Sequence, residues 1–328
     1  MANISYRGAD MGWLTAMENQ GIIFRDFDGK PIEMFSFLKK LGINAVRQRV
    51  WVNPDDSWHR GQCDIKRCVE MGRRTIGAGM EYMVDFHYSN SWADPGQQHT
   101  PKEWENDTLE EMCKHVYEHT KECLEALRDA GVQPKWVQTG NETDNGMMLP
   151  TGDPKASPEK LAKLFRAGYD AVHDVFPTGT YSIIHLARGW DRGVALPYLA
   201  NVVKYGGAFD MFGSSYYPYW VAMEGGDVVS RPEMHDQMKA EAKACFEEVT
   251  KLYNVPTMIV EIGGIDEEED ESYRVVREMV KFADDESNSC EGVFWWEPQG
   301  FRGYSNYVLS AWNDDGTPTK AMLGFAQD

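Results

Sequence analysis

Eight short apolar runs rich in β-branched and aromatic residues recur along the chain, at residues 4–9, 45–50, 82–86, 136–139, 181–185, 211–215, 257–260 and 292–296. Between them the apolar spacing changes from alternation to helical. Leu109, Met112, Cys113, Val116, Cys123, Leu124 and Leu127 keep near 3.6-residue spacing, with Asp107 as the expected N-cap and Gly131 as the stop. Asp64 stands before a helix carrying Cys68 and Met71, and Ser157-Pro158 opens another carrying Leu161, Leu164, Phe165 and Tyr169. Strand and helix thus alternate throughout. Eight such units predict an α/β chain folded as one (β/α)8 TIM barrel over residues 1–328, because eight parallel strands close on themselves whereas an open doubly wound sheet usually has fewer. No glycine-rich phosphate loop follows the first run, and no linker, low-complexity tract or repeat divides the chain.

Composition supports a large folded unit. The 328 residues are 42% hydrophobic, with 15 Tyr, 14 Phe and 11 Trp, enough for a sizeable core, and no apolar run of about 18 residues predicts a membrane span. The formal charge of -19 repels polyanions, so nucleic acid is not an expected partner. Six cysteines lack zinc-type spacing, and most read as packed free thiols. The first residues carry no basic and apolar leader, which leaves an intracellular protein or one whose signal was removed and which acts outside the cell or at its envelope. The expected state is a monomer without cofactor or metal.

In a barrel the chemistry collects at the C-terminal ends of the strands. The polar residues ending the runs are Asp10; Arg47 and Arg49; Asp85 and His87; Asn141 and Glu142; His185; Tyr216 and Tyr217; Glu261; and Trp295, Trp296 and Glu297. A glutamate after a strand is often a salt-bridged surface group, Arg47 alone would be a structural ion-pair residue, and His87 and His185 could be buried barrel histidines. Two glutamates, Glu142 and Glu261, across one barrel mouth have a different reading. They fit a glycosidic bond cleaved with retention, which needs an acid to protonate the leaving oxygen and a carboxylate to attack the anomeric carbon, about 5–5.5 Å apart. Arg47 beside Glu261 would keep it ionised while a less compensated site keeps Glu142 protonated. Trp51, Trp92, Trp190, Tyr217, Trp220, Trp295, Trp296 and Trp312 fall at or after run ends, where flat rings suit sugar faces.

The motifs resemble those of glycoside hydrolase family 53, the endo-β-1,4-galactanases of the retaining (β/α)8 clan. They are Tyr6-Arg7-Gly8-Ala9-Asp10, the segment from Gly42 to Pro54 around Val46-Arg47-Gln48-Arg49-Val50-Trp51, Asp85-Phe86-His87-Tyr88-Ser89 with Trp92-Ala93-Asp94-Pro95, Gly140-Asn141-Glu142, Ser215-Tyr216-Tyr217-Pro218, Val260-Glu261 and Trp296-Glu297-Pro298. The resemblance implies that Glu142 is the acid/base and Glu261 the nucleophile, with Arg47 and Tyr216 or Tyr217 as electrostatic partners. It implies that Asn141 meets the sugar 2-hydroxyl and Trp296 floors the reacting subsite. Asp10, His87, Trp92, Asp94, His185, Trp295 and Glu297 complete the expected substrate-binding set. The departures are Leu186-Ala187-Arg188-Gly189-Trp190, where the family usually carries an acidic or amide pair, Leu149 where relatives can carry Trp, and a short segment after Glu261. The acidic run at residues 266–271 lacks an EF-hand pattern and lies at a helix start, where acids are favoured without calcium. The alternatives to a galactan hydrolase are the same mechanism on another or decorated β-galactoside, and a non-catalytic carbohydrate-binding barrel.

Overall fold

The computed structural model describes residues 5–54, 63–224 and 231–326. Its strands β1 (Tyr6–Asp10), β2 (Ala45–Val50), β3 (Glu81–Phe86), β4 (Trp136–Thr139), β5 (Tyr181–Leu186), β6 (Met211–Tyr216), β7 (Thr257–Ile262) and β8 (Cys290–Trp295) form one closed barrel in sequence order. All pairs are parallel, and β8 closes on β1. The predicted (β/α)8 TIM barrel is therefore the observed fold. Run edges move by a residue or two, and position 4, where the first run begins, lies outside the described residues. Among the described residues no helix is long and apolar enough to cross a membrane.

The helices form where the spacing places them, with one cap reassigned. Thr108, not Asp107, caps the helix Leu109–Asp129 through a reciprocal box with Glu111, because Glu111 stands three residues after Thr108 and can reach back to its N–H. Gly131, at φ 76, ends that element, and Asp64 caps Ile65–Gly77 by accepting from the Arg67 N–H. Ser157 precedes Pro158–Val175 without capping it, while Pro158 occupies the first turn, where a missing N–H costs nothing.

Strand alternation divides the barrel interior into two layers. The lower layer is an apolar plug of Met83, Trp136, Ile183, Met211, Met258, Val260 and Phe294, with Tyr6 packed against it. Trp136 meets Phe294 edge-on at 5.9 Å between ring centres. Gly8 is required here, since a Cβ would lie 2.0 Å from Phe294 Cδ1. Two residues further along several strands the inward positions become polar, at Asp10, Arg47, Asp85, Gln138 and His185, and on β6 Ser215 follows Met211 by four with Gly213 between; all six polar residues are nearly or fully buried. The plug closes the bottom, so this polar layer opens only upward.

β7 breaks the alternation. Ser214 pairs with Ile259 but Ser215 pairs with Glu261, so Val260 is an extra residue. Val260 joins the plug and Glu261 still turns inward. Without this bulge the carboxyl would face the helices.

Candidate active site

Above the polar layer lies a cavity of about 990 Å³, lined by His87, Trp92, Asp94, Asn141, Glu142, Tyr217, Glu261 and Trp296 together with residues of the surrounding loops. Its floor is organised by Arg47. Nη1 donates to Asp10 at 2.7 Å, Nη2 to Asp85 at 2.8 Å and Asn141 Oδ1 at 2.9 Å, and Nε to Gln138 Oε1 at 2.6 Å. Glu261 Oε1 lies 2.9 Å from the same Nη2. Both hydrogens of that nitrogen are directed at Asp85 and Asn141, so Arg47 reaches Glu261 Oε1 through charge while no hydrogen bond is directed at that oxygen. Oε2 accepts from the Tyr217 hydroxyl at 3.1 Å.

One cation therefore serves three carboxylates, and the electrostatics follow. Burial raises Glu261 to about 7; Arg47 pulls it down, but Asp85 and Asp10 push the other way. Arg47 does not hold Glu261 in the ordinary carboxylate range, as the sequence led one to expect, because its charge is shared. Asp85 itself stays below its usual value: burial opposes ionisation, and the Arg47 guanidinium together with the hydrogen-bonded His87 more than offsets it.

Glu142 follows β4 in a left-handed conformation, φ 46, which turns its side chain to the cavity beside that of Asn141. Its Oε1 accepts from Ser215 Oγ at 2.6 Å, a neutral partner. Burial first, and the nearby Glu261 second, push it well above the usual carboxylate range. The pair is thus asymmetric: the proton they share sits on Glu142, and Glu261 ionises first.

The aromatic residues form a cage around a second buried cation. Arg49 lies 4.4 Å from the Trp92 ring, 5.5 Å from Trp13, 5.7 Å from Trp51 and 5.9 Å from Trp296, and is ion-paired with Glu297. Trp92 and Trp296 line the cavity. His87 keeps its Nδ1 as acceptor, taking hydrogen bonds from Trp51 Nε1 at 3.2 Å and the Ala93 N–H at 3.0 Å, so its Nε2–H points to Asp85 at 3.1 Å. Asn141 gives its amide to Ala93 O at 2.8 Å.

Several expected contacts are not at the cavity wall. Tyr216 faces outward and bonds His235 at 2.9 Å, because it sits one residue out of phase with Ser215 and Tyr217. Trp295 is out of phase with Trp296, gives its indole N–H to Leu309 O and packs on Phe325. Asp10, Arg47, His185 and Glu297 are inward but lie beneath the wall: Arg47 and His185 touch Asn141 of the wall, while Asp10 pairs with Arg47 and Glu297 with Arg49. Trp312 is buried against Phe24 and Phe37. Among the departures, Arg188 does reach the cavity, held by Asp191 at 2.6 Å, whereas Leu149 does not.

The sequence reading missed Ser215, Gln138, Asp144 and Tyr307. Ser215 and Gln138 share strand phase with Tyr217 and Trp136 and were findable by parity; Tyr307 comes from an irregular loop and carries no local signal. The acids at 266–271 are matched by cations: Arg302 pairs with Asp266 and Glu267, Arg231 with Glu268, Lys320 with Asp270 and Arg274 with Glu271, while Glu269 caps the Lys320 N–H. Among the described residues the tightest His/acid group is His235, Asp236 and Glu278, whose Glu278 already binds Lys239 and Arg274.

The profile of Glycosyl hydrolase family 53 matches residues 6–314. A protein of Aspergillus terreus described as a probable arabinogalactan endo-beta-1,4-galactanase A is 34% identical over 227 residues, 67% of this chain and 64% of that protein. The endo-beta-1,4-galactanase of Bacillus subtilis is 36% identical over 222 residues, 65% of this chain and 49% of that protein. The alignments thus span between half and two thirds of those relatives' own length. A structure from work on two fungal beta-1,4-galactanases superposes with a TM-score of 0.84 at 26% identity, covering 98% of this chain and 99% of that one. The catalytic domain from Ignisphaera aggregans superposes equally well, also with a TM-score of 0.84 but at 21% identity, and shows the shared fold. With the barrel closed, the glutamates at the ends of β4 and β7 beside one cavity and the profile covering nearly the whole chain, this protein belongs to glycosyl hydrolase family 53.

Proposed function

We propose that the chain is an endo-acting hydrolase of β-1,4-linked galactan that works by double displacement, with Glu261 as nucleophile and Glu142 as general acid/base. The observation that carries the assignment is the asymmetry of the two carboxyls: a cation stands against Glu261, while among the described residues the Glu142 carboxyl takes only the hydroxyl of Ser215. A group that ionises first suits attack, and one that keeps its proton suits leaving-group protonation. In the first step the Glu261 carboxylate bonds to the anomeric carbon, the glycosidic C–O bond breaks, and Glu142 gives its proton to the departing oxygen. In the second, water attacks that carbon, Glu142 takes the water proton, and Glu261 leaves as carboxylate. Arg47 and the Tyr217 hydroxyl stabilise the charge that returns to Glu261. Trp92 and Trp296 offer their rings to the apolar faces of the sugars.

The names of the relatives support galactan as the glycan. Arg188 and Lys155 on the cavity wall favour, as the second reading, a galactan carrying acidic decoration. Turnover on a panel of plain and decorated β-linked polysaccharides, with product sizing, separates the two. Glu142→Gln and Glu261→Gln are each expected to lower kcat on the preferred glycan by roughly 10²–10⁴-fold while oligosaccharide binding persists. NMR of the first product should show the β-anomer; an inverted product, or undiminished turnover in either variant, refutes the mechanism.

A further inference from the structure

Glu142 can act as a general acid only if its proton points at the substrate, and its Oε1 is already engaged by Ser215. Which of these two partners donates is decided elsewhere, by a chain of hydrogen bonds that begins at Arg47. A guanidinium can only donate. The Gln138 atom that meets Arg47 Nε at 2.6 Å is therefore its carbonyl oxygen, and its NH2 group must point the other way, at His185 Nδ1, 2.9 Å distant. The Glu142 backbone N–H approaches the same ring nitrogen at 3.4 Å. Nδ1 thus faces two donors and must be the bare nitrogen. Asn141 Oδ1 also lies 3.0 Å from Nδ1, but it already accepts from Arg47 Nη2, and a proton placed on Nδ1 for its sake would collide with both the Gln138 and Glu142 hydrogens.

The remaining ring hydrogen of neutral His185 then sits on Nε2 and is given to Ser215 Oγ at 2.9 Å. Burial, helped by the Arg47 charge, holds His185 neutral by lowering its pKa well below the usual value. Ser215 has one hydrogen and two lone pairs; one lone pair takes the His185 hydrogen, and the hydroxyl donates its own to Glu142 Oε1 at 2.6 Å. Oε1 is an acceptor, so the transferable proton lies on Oε2. In the opposite tautomer Ser215 would donate to His185 Nε2, and Glu142 would spend its proton on Ser215.

We propose that Gln138, His185 and Ser215 form a one-way donor relay, set by Arg47, that keeps the proton of Glu142 on the oxygen facing the substrate. The three are positioning residues for the acid step, and this rests on Glu142 being the acid. The same Arg47 that stands against Glu261 thus also orients the proton of Glu142, so one side chain sets the state of both carboxyls.

Two measurements test the relay. Nitrogen-15 NMR of the intact enzyme, with His185 assigned by its loss in His185→Gln, should show a bare Nδ1 and a protonated Nε2; a protonated Nδ1 overturns the proposal. Ser215→Ala and Gln138→Leu should then be compared on galactotetraose, whose leaving sugar needs a proton, and on dinitrophenyl β-galactobioside, whose leaving group does not. The ratio of kcat/KM on the first substrate to that on the second is expected to fall about 10–100-fold in each variant, a large part of the usual acid-catalysis factor. A loss shared equally between the substrates, which is what damage to the fold produces, overturns it. Glu142→Gln separates the two levels: if it keeps the tetraose rate, the acid assignment itself fails, whereas a Glu142→Gln that loses the tetraose rate, with unchanged ratios in the relay variants, removes the relay alone. A variant that fails to fold leaves the wild-type NMR result decisive.

Discussion

Sharing one guanidinium among three carboxylates predicts that weakening a competitor strengthens the hold on the nucleophile. Asp85 and Glu261 both lie within 2.9 Å of Arg47 Nη2, which puts the two charges on the order of 5 Å apart. At an effective dielectric constant near 20 their repulsion is about 3 kcal/mol, equivalent to about two pKa units on Glu261. Asp85 is ionised wherever the enzyme works, since its pKa lies below the ordinary carboxylate value. Asp85→Asn removes that charge while keeping an oxygen for Arg47. A Glu261 that serves as the proposed nucleophile attacks only when ionised, so activity is expected to be lost as pH falls through its folded pKa of about 7. The acid limb of kcat/KM against pH is therefore expected near 7 in the wild type and about one to two units lower in Asp85→Asn. The alkaline limb, set by Glu142, should move less. The limbs report macroscopic ionisations of the pair. A profile measured on soluble galactan with thermal melts as control decides the matter. An acid limb that stays or rises while the fold survives refutes the shared-cation account.

Tyr217→Phe removes a bond that favours the ionised form of Glu261, so its acid limb should rise, by roughly one unit or less, with a lower kcat. Tyr216→Phe should instead cost about 1–2 kcal/mol in denaturant melts and leave the profile in place, since its hydroxyl meets only His235; a shifted limb there would contradict the outward placement. Arg49→Met strands Glu297 and loosens the rings around it, with an expected loss of about 3–5 kcal/mol and a higher KM. Adding Glu297→Met should recover much of the stability; a double variant no more stable than the single one would show that the ion pair is not the cause.

Much of the site was legible because strands alternate. Asp10, Arg47, Asp85, Gln138 and His185 each follow an inward apolar residue or the Gly8 gap by two positions, so one phase carries both plug and polar layer. The same rule separates Tyr217 from Tyr216 and Trp296 from Trp295, a distinction that a simple listing of strand ends overlooks. Tyr307 was beyond reach for another reason: it enters the cavity from a segment whose path depends on packing. The Thr108 cap shows the smaller error of a local rule, where two adjacent candidates compete and the capping box decides.

The two carboxyls proposed to react stand where alternation fails. A regular strand shows the barrel every second side chain, yet here adjacent residues turn inward together: Asn141 with Glu142, Val260 with Glu261, and Trp296 with Glu297. Each doubling has a backbone device. Glu142 and Glu297 adopt φ of 46° and 47°, unfavourable for residues with a Cβ, and β7 inserts Val260 as a bulge. Such conformations cost on the order of 1–3 kcal/mol each and persist only where the surroundings hold them. Here the holding contacts are specific: Ser215 on Glu142, Arg49 on Glu297, and Arg47 with Tyr217 on Glu261. The strain therefore lies at the end of the barrel that does chemistry, above a regular apolar plug that stabilises the strands. A sequence rule built on periodicity locates that plug well and is weakest at the two glutamates, because bringing adjacent side chains into one cavity is what the chemistry requires of the backbone.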